Sequence, residues 1–251
     1  MVKRILYTLA AFCFLLPVVL TVMHSFSNDI TVFTLNGYDG LLFNCFAFYQ
    51  AFWNSVCYTA IITGVVLIVI IPAAFVFTQI KSRIMDIFFV FLMILMLMPL
   101  QVTLLPNYIG SRDMGMLDHP LSVILPAVFS PVYAVITVQY LHGIDVSVVE
   151  AVRLESNAVI RVIVSAIIPQ IKPCIFAVIV FTASESWNML EQPMYFLKND
   201  SLMPLNVFMS KAVEWDILYP AAVISLLPML LLYGFFGDAL KNGISVGGIH
   251  E

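Results

Sequence analysis

Charge is what this chain has least of. Asp, Glu, Lys and Arg make up 10% of its 251 residues, against about 25% in soluble domains, so water is not its main solvent. No basic block is present and the net charge is a small −4, which excludes nucleic acid as a partner. No G-x-x-x-x-G-K-[ST] loop occurs, so nothing cradles phosphates and the chain is not expected to hydrolyse ATP itself. H-E-x-x-H and G-x-S-x-G are missing too. The four histidines, His24, His119, His142 and His250, stand far apart, so no metal site and no catalytic residue are expected. Cys13, Cys45, Cys57 and Cys174 show no C-x-x-C spacing and read as small hydrophobes.

Long apolar runs fill the space that charge leaves. The chain is 62% hydrophobic, with a mean hydropathy of +1.02. A membrane helix needs about 20 mostly apolar residues, and stretches of that size recur. They predict six helices, at 5–24, 52–78, 85–106, 121–141, 172–191 and 217–237. The fold class expected is an all-α polytopic bundle, a single membrane domain over 1–251. Lys3 and Arg4 precede the first run, as in a signal peptide, but the run is long and no A-x-A-like site closes it; an uncleaved helix is expected. With the N-terminus inside, eight of the eleven basic residues face the cytoplasm and Arg112, Lys198 and Lys211 lie outside. That bias predicts cytoplasmic termini at both ends. Residues 25–50, 106–120 and 192–216 then read as outer loops, and 238–251 as a short flexible tail.

One segment breaks the apolar pattern. "EAVRLESNAVIRVIVSAIIPQIKP", Glu150 to Pro173, carries Glu150, Arg153, Glu155, Arg161 and Lys172 between two apolar spans. Asp145 or Ser147 suits a helix N-cap. Val148, Val149, Val152 and Leu154 approximate one helical face, "SN" at Ser156 and Asn157 interrupts, and Pro169 and Pro173 stop a second helix. Two readings of 145–170 stand side by side: a solvated surface helix, or a knob that fits a groove on a cytoplasmic partner.

The same stretch resembles the EAA loop of binding-protein-dependent ABC importer permeases. The family pattern runs E-A-A, then D-G-A, then an apolar helix ending in L-P, and Pro169 stands at the family spacing from Glu150. "PLQVTLLPNYIGSRDMGMLDHPLSVILP", "QYLHGIDVSVVEAV", "WNMLEQP" and "GISVGG" resemble the second permease subunit of carbohydrate importers. The sequence departs from the pattern at the bend, where Glu155, Ser156 and Asn157 stand for Asp, Gly and Ala. Ser disfavours positive φ and Asn tolerates it, so the bend is expected at Asn157.

The resemblance implies a mechanism and a set of partners. A soluble extracytoplasmic sugar-binding protein delivers substrate, and a second homologous permease completes the pathway through a bacterial or archaeal cytoplasmic membrane. Two cytoplasmic ATPase subunits bind ATP and Mg, so this chain holds no cofactor. Each ATPase grips one loop: here Glu150 pairs with a basic residue, Ala151 permits close packing, and Glu155 to Asn157 set the bend. Arg153 joins the coupling set, with lipid headgroups as the competing contact. By similarity, 192–216 reaches towards the binding protein.

For the pathway, polar residues inside spans are the candidates. "SESWNMLEQP" places Glu185, Trp187, Asn188 and Glu191 near one end of the fifth span. Glu185, Asn188 and Glu191 repeat at i, i+3. Carboxylates and amides suit sugar hydroxyls, and Trp suits an apolar ring face; the competing reading is an interfacial belt. Gln101 and Thr103 form a second candidate pair, with helix-to-helix hydrogen bonding as the alternative. An ion-gradient transporter and a membrane scaffold remain as rival functions. No internal duplication of the kind that marks many secondary transporters is visible.

Overall fold

The computed structural model describes residues 2–29, 32–156, 158–211 and 215–246. Helices dominate: α1 (Val2–Ser25), α2 (Phe46–Gln79), α3 (Arg83–Leu95), α4 (Leu100–Asp113), α5 (Pro120–Val128), α6 (Pro131–Leu141), α7 (Val146–Glu155), α8 (Val159–Gln170), α9 (Lys172–Trp187), α10 (Glu191–Phe196), α11 (Leu205–Lys211) and α12 (Trp215–Val246). Within α8 the residues Ile163–Ile167 form a π turn just before Pro169, whose missing N–H interrupts the α ladder. Ser27–Asp29 pairs antiparallel with Val32–Phe33 in a short hairpin.

Among the described residues, α1, α2, the α5–α6 run Pro120–Leu141, and Asp216–Gly237 within α12 are long and apolar enough to cross a membrane. Two further spans count only as bent pairs, α3 with α4 at 107° and α8 with α9 at 83°. The chain is thus a multi-pass membrane protein of the helical class, with up to six spans. Three expectations need correction. The third span does not run unbroken over 85–106: it stops at Leu95 and restarts after Pro99, which N-caps α4. The residue before a proline is pushed out of the helical region, which ends the first piece. Pro106 sits inside α4 and ends nothing, so much of the expected 106–120 loop is helical. The tail does not begin at 238: α12 continues to Val246, and 247–251 lie outside the described residues.

The chain divides into two units. The first comprises 1–55 and 199–231. In it Asn54 Nδ2 donates to the carbonyls of Ser201 and Met203 at 2.8 and 3.1 Å, and Ser55 Oγ accepts from the Leu205 amide at 2.8 Å. Gly37 lies so close to α12 that a Cβ would stand 2.5 Å from the Asp216 carbonyl oxygen. The described part of 192–216, residues 192–211 and 215–216, is thereby not an open loop but mostly short helices, part of it tied to α2.

The second unit comprises 56–198 and 232–251 and holds the main core. Tyr58, Ile62, Val66, Ile70 and Ala74 recur every four residues along α2 and are buried. They meet Val138, Val162, Ile167 and Val178. The other face of α2 is equally apolar yet exposed, as at Ile61 and Ile68. A helix apolar all round belongs in lipid or in a deep core, and here one stripe packs while the rest is left for acyl chains.

Candidate functional site

The two broken spans build the two features of interest, both in the second unit. The break before Pro99 turns α4 so that Thr103, Asn107 and Ser111, spaced by four, line one side of a cavity of about 960 Å³. The last turn of α9 and the residues after it supply the other side, with Glu185, Asn188 and Glu191. Ser130, after the α5 terminus, and Gln192 add further polar atoms. Carboxylates of Glu185 and Glu191 are the ionisable groups in this lining, and no Lys, Arg or His stands among them.

Each carboxylate has a distant partner. Tyr133 is buried in α6, and its hydroxyl donates to Glu185 Oε2 at 2.5 Å, across 52 residues of sequence. Gln101 Nε2 donates to both oxygens of Glu191 at 3.4 and 3.5 Å, across 90 residues. Hydrogen bonds to a charged acceptor are stronger than neutral ones, so the first of these fixes the Glu185 side chain at the cavity wall. Asn188 spends its Nδ2 on the Ser184 carbonyl at 2.8 Å, where it caps α9. Gln192 Nε2 reaches the carbonyls of Ser122 and Val123 at 3.1 and 3.3 Å and ties α10 to α5.

Of the predicted pathway residues, Thr103, Glu185, Asn188 and Glu191 line the cavity. Gln101 is not in the lining and touches it through Glu191. Trp187 is buried, 3% exposed, and is not in this lining; its ring packs inside the protein, away from a solute in this cavity and from lipid headgroups. It lies two residues from Glu185, which on a helix puts it on another face. Asn107, Ser111, Ser130 and Gln192 were not foreseen. The i, i+4, i+8 spacing of Thr103, Asn107 and Ser111 was the available signal, hidden because Pro106 reads as a helix end.

The second feature is the charged segment. Asp145 N-caps α7, its Oδ1 accepting the Ser147 amide at 2.9 Å. The Ser147 hydroxyl and then its N–H hold the Asp145 carboxyl below its ordinary range. Val149 is buried and Val152 packs on the core, so these two point inwards. Glu150, Ala151 and Leu154 point outwards, and Leu154 is 92% exposed. The four valine and leucine positions therefore do not share one face; they divide between core and surface.

Arg153 Nη2 donates to Gln79 Oε1, the last residue of α2, at 2.6 Å. Glu155 and Arg161 meet across the bend at 3.8 Å, both well exposed, a pair worth little by itself. Ser156 takes an extended conformation, φ −159°, and its Oγ accepts the Ala158 amide at 3.3 Å. Asn157, where the bend was expected, lies outside the described residues. Pro169 is exposed near the end of α8. Among the described residues no group of three His, Cys, Asp or Glu side chains is placed to hold a metal.

No family model matches the chain. Individual relatives do. It is 25% identical over 262 residues to the arabinooligosaccharides transport system permease protein AraQ of Bacillus subtilis (strain 168), covering 99% of this chain and 92% of that one. It is 25% identical over 189 residues to the sn-glycerol-3-phosphate transport system permease protein UgpE of Brucella abortus (strain 2308), covering 72% and 66%. A chain from the crystal structure of a bacterial ABC transporter involved in the import of the acidic polysaccharide alginate shares its fold, with a TM-score of 0.84, 19% identity and 94% of each chain covered. The fold is that of an ABC importer chain, and the relatives are transport permeases of oligosaccharide and of sn-glycerol-3-phosphate systems.

Proposed function

We propose that this chain is a permease subunit of an ATP-driven ABC importer for a sugar or oligosaccharide. It lines part of the pathway and draws its power from a separate ATPase. A single observation carries the reading: one helix joins the two features. Its 16 residues span about 24 Å at 1.5 Å per residue. α9 begins beside Gln170, at the end of the charged segment, and ends at Glu185 and Asn188 in the cavity wall. A push on the segment has a rigid element to travel along, and rigid-body shifts of packed helices are an ordinary switching mode.

The outer surface of α7 suits a grip. Glu150 offers a charge, Ala151 close approach and Leu154 an apolar anchor, with Val159 and Ile160 exposed nearby. Helices that present such anchors suit grooves. Glu155, Ser156, Asn157 and Pro169 would set the shape of that knob. In this reading both termini and 145–170 face the cytoplasm of a bacterial cell. The partners are a second homologous permease, two ATP-binding subunits that supply ATP and Mg chemistry, and an extracytoplasmic sugar-binding protein. The whole of 1–251 acts as one permease domain.

The cavity chemistry favours a hydroxylated neutral solute. Amide, hydroxyl and carboxylate oxygens accept sugar O–H donors, whereas a phosphate or uronate would meet two acids and no cation in this lining. The test is uptake by the complete transporter in proteoliposomes, with arabinotriose as tracer. Uptake that needs ATP, and falls with Glu150→Ala, fits the proposal. Uptake that ignores ATP and collapses with the ion gradient overturns it.

A further inference from the structure

Gln170 has an unusual set of bonds. It lies at the last residue of α8, one position before the 83° bend into α9. Its Oε1 accepts the Asp145 amide at 3.0 Å, and its Nε2 donates to the Asp145 carbonyl at 3.4 Å. The same Nε2 donates to the Ala166 carbonyl, one turn back, at 3.0 Å. A side-chain amide here pairs with both backbone groups of a residue 25 positions away, as a neighbouring strand would. Asp145 is itself the N-cap of α7. The bonds therefore tie the first residue of the charged segment to its last.

Without this clasp the segment would hang from two joints: the turn at 142–145 and the bend at Ile171, where φ −96° and ψ 12° leave the helical region. A joint at each end lets an applied force rotate the knob rather than move the span behind it. With the clasp, α7 and α8 close into a ring whose exit is α9. Arg153 adds a separate fastening to Gln79, and buried Val149, Val162 and Ile167 hold the inner face. Loss of Gln170 alone therefore leaves the segment in place.

We propose that Gln170 is a positioning residue for energy coupling: its clasp on Asp145 makes 145–170 one rigid body, so that displacement of the knob reaches the cavity end of α9. This rests on the reading of 145–170 as the ATPase-gripped segment. Gln170→Met keeps the length and removes both bonds to Asp145 together with the one to Ala166. Gln170→Glu keeps the acceptor for the Asp145 amide and loses the donor.

The experiment uses the complete transporter, free of native cysteines, with ATP, magnesium and vanadate as the probe. A spin label on Leu190→Cys reports the cavity end, and one on Leu154→Cys reports the grip. In the native sequence nucleotide immobilises the label at 154 and shifts the distance distribution measured at 190. In Gln170→Met the label at 154 stays immobilised, while the population shifted at 190 falls by more than about fivefold, the factor that a single lost hydrogen bond of ordinary strength represents. Gln170→Glu falls between the two, and it alone decides the matter should Gln170→Met fail to assemble. A native-size shift at 190 in either variant, with 154 still gripped, overturns the role of Gln170. A label at 154 that is never immobilised, even in the native sequence, overturns the coupling reading beneath it.

Discussion

The charged segment and the polar cavity sit in the same unit yet are held together in opposite ways. In the segment most fixings stay within 145–170: Asp145 caps Ser147, Ser156 receives Ala158, Glu155 meets Arg161 and Gln170 clasps Asp145, with Arg153 to Gln79 reaching outside. In the cavity both carboxylates are fixed remotely, Tyr133 to Glu185 across 52 residues and Gln101 to Glu191 across 90. In the proposed function the difference suits two jobs. A part that is gripped from outside must keep its own shape. A part that lines a pathway gains from partners on other helices, because relative movement of those helices then changes the wall.

The contrast breaks first at the boundary between inward and outward residues. Ile167 is 1% exposed in the core, and Ile167→Ala is expected to destabilise the fold by ~2–5 kcal/mol, read as thermal unfolding in detergent. Leu154→Ala, at an exposed position, should leave that midpoint unchanged and weaken only ATPase retention. Glu150→Ala should cost on the order of 30-fold in ATPase affinity if it is an interface hot spot, measured by co-purification against added subunit. An unaltered affinity would make the outward face an ordinary solvated surface.

Within the cavity, Tyr133→Phe should lower uptake by about tenfold, the scale of a hydrogen bond to a charged group. Combined with Glu185→Gln it should add little more, and full additivity in that cycle would break the pairing. Gln101→Leu removes only a long, exposed contact, so a change below about fivefold is expected, as for surface pairs. The smallest effect concerns pH. Asp145 is held below its ordinary range, so its cap is present above its unfolded value of about 3.9. The cap is lost only as pH falls through the lower folded value. Hydrogen exchange at the Ser147 amide should stay protected at pH values where a free aspartate protonates.

The same contrast explains what the sequence disclosed. Single apolar runs of about 20 residues announce spans by length alone, and α1, α2 and α12 follow them. The segment was legible because caps and prolines act within four residues. The break at Pro99 was not: apolar residues continue on both sides of it, and Pro106 drew the boundary to the wrong place. Glu185, Asn188 and Glu191 showed as polar groups in an oily stretch, but Tyr133 and Gln101 become their partners only once distant helices pack. Trp187 is buried away from that lining, and its offset from Glu185 already put it on another face.

The central claim is that a permease built on this fold is driven through the outward face of α7. The most direct measurement is a crosslink from Leu154→Cys, in a cysteine-free background of the working transporter in membrane vesicles. The account predicts a bond to the ATP-hydrolysing subunit, formed from the cytoplasmic side and altered by ATP. Labelling of Leu154→Cys by an impermeant reagent from the outer side, with no ATPase adduct, would contradict it.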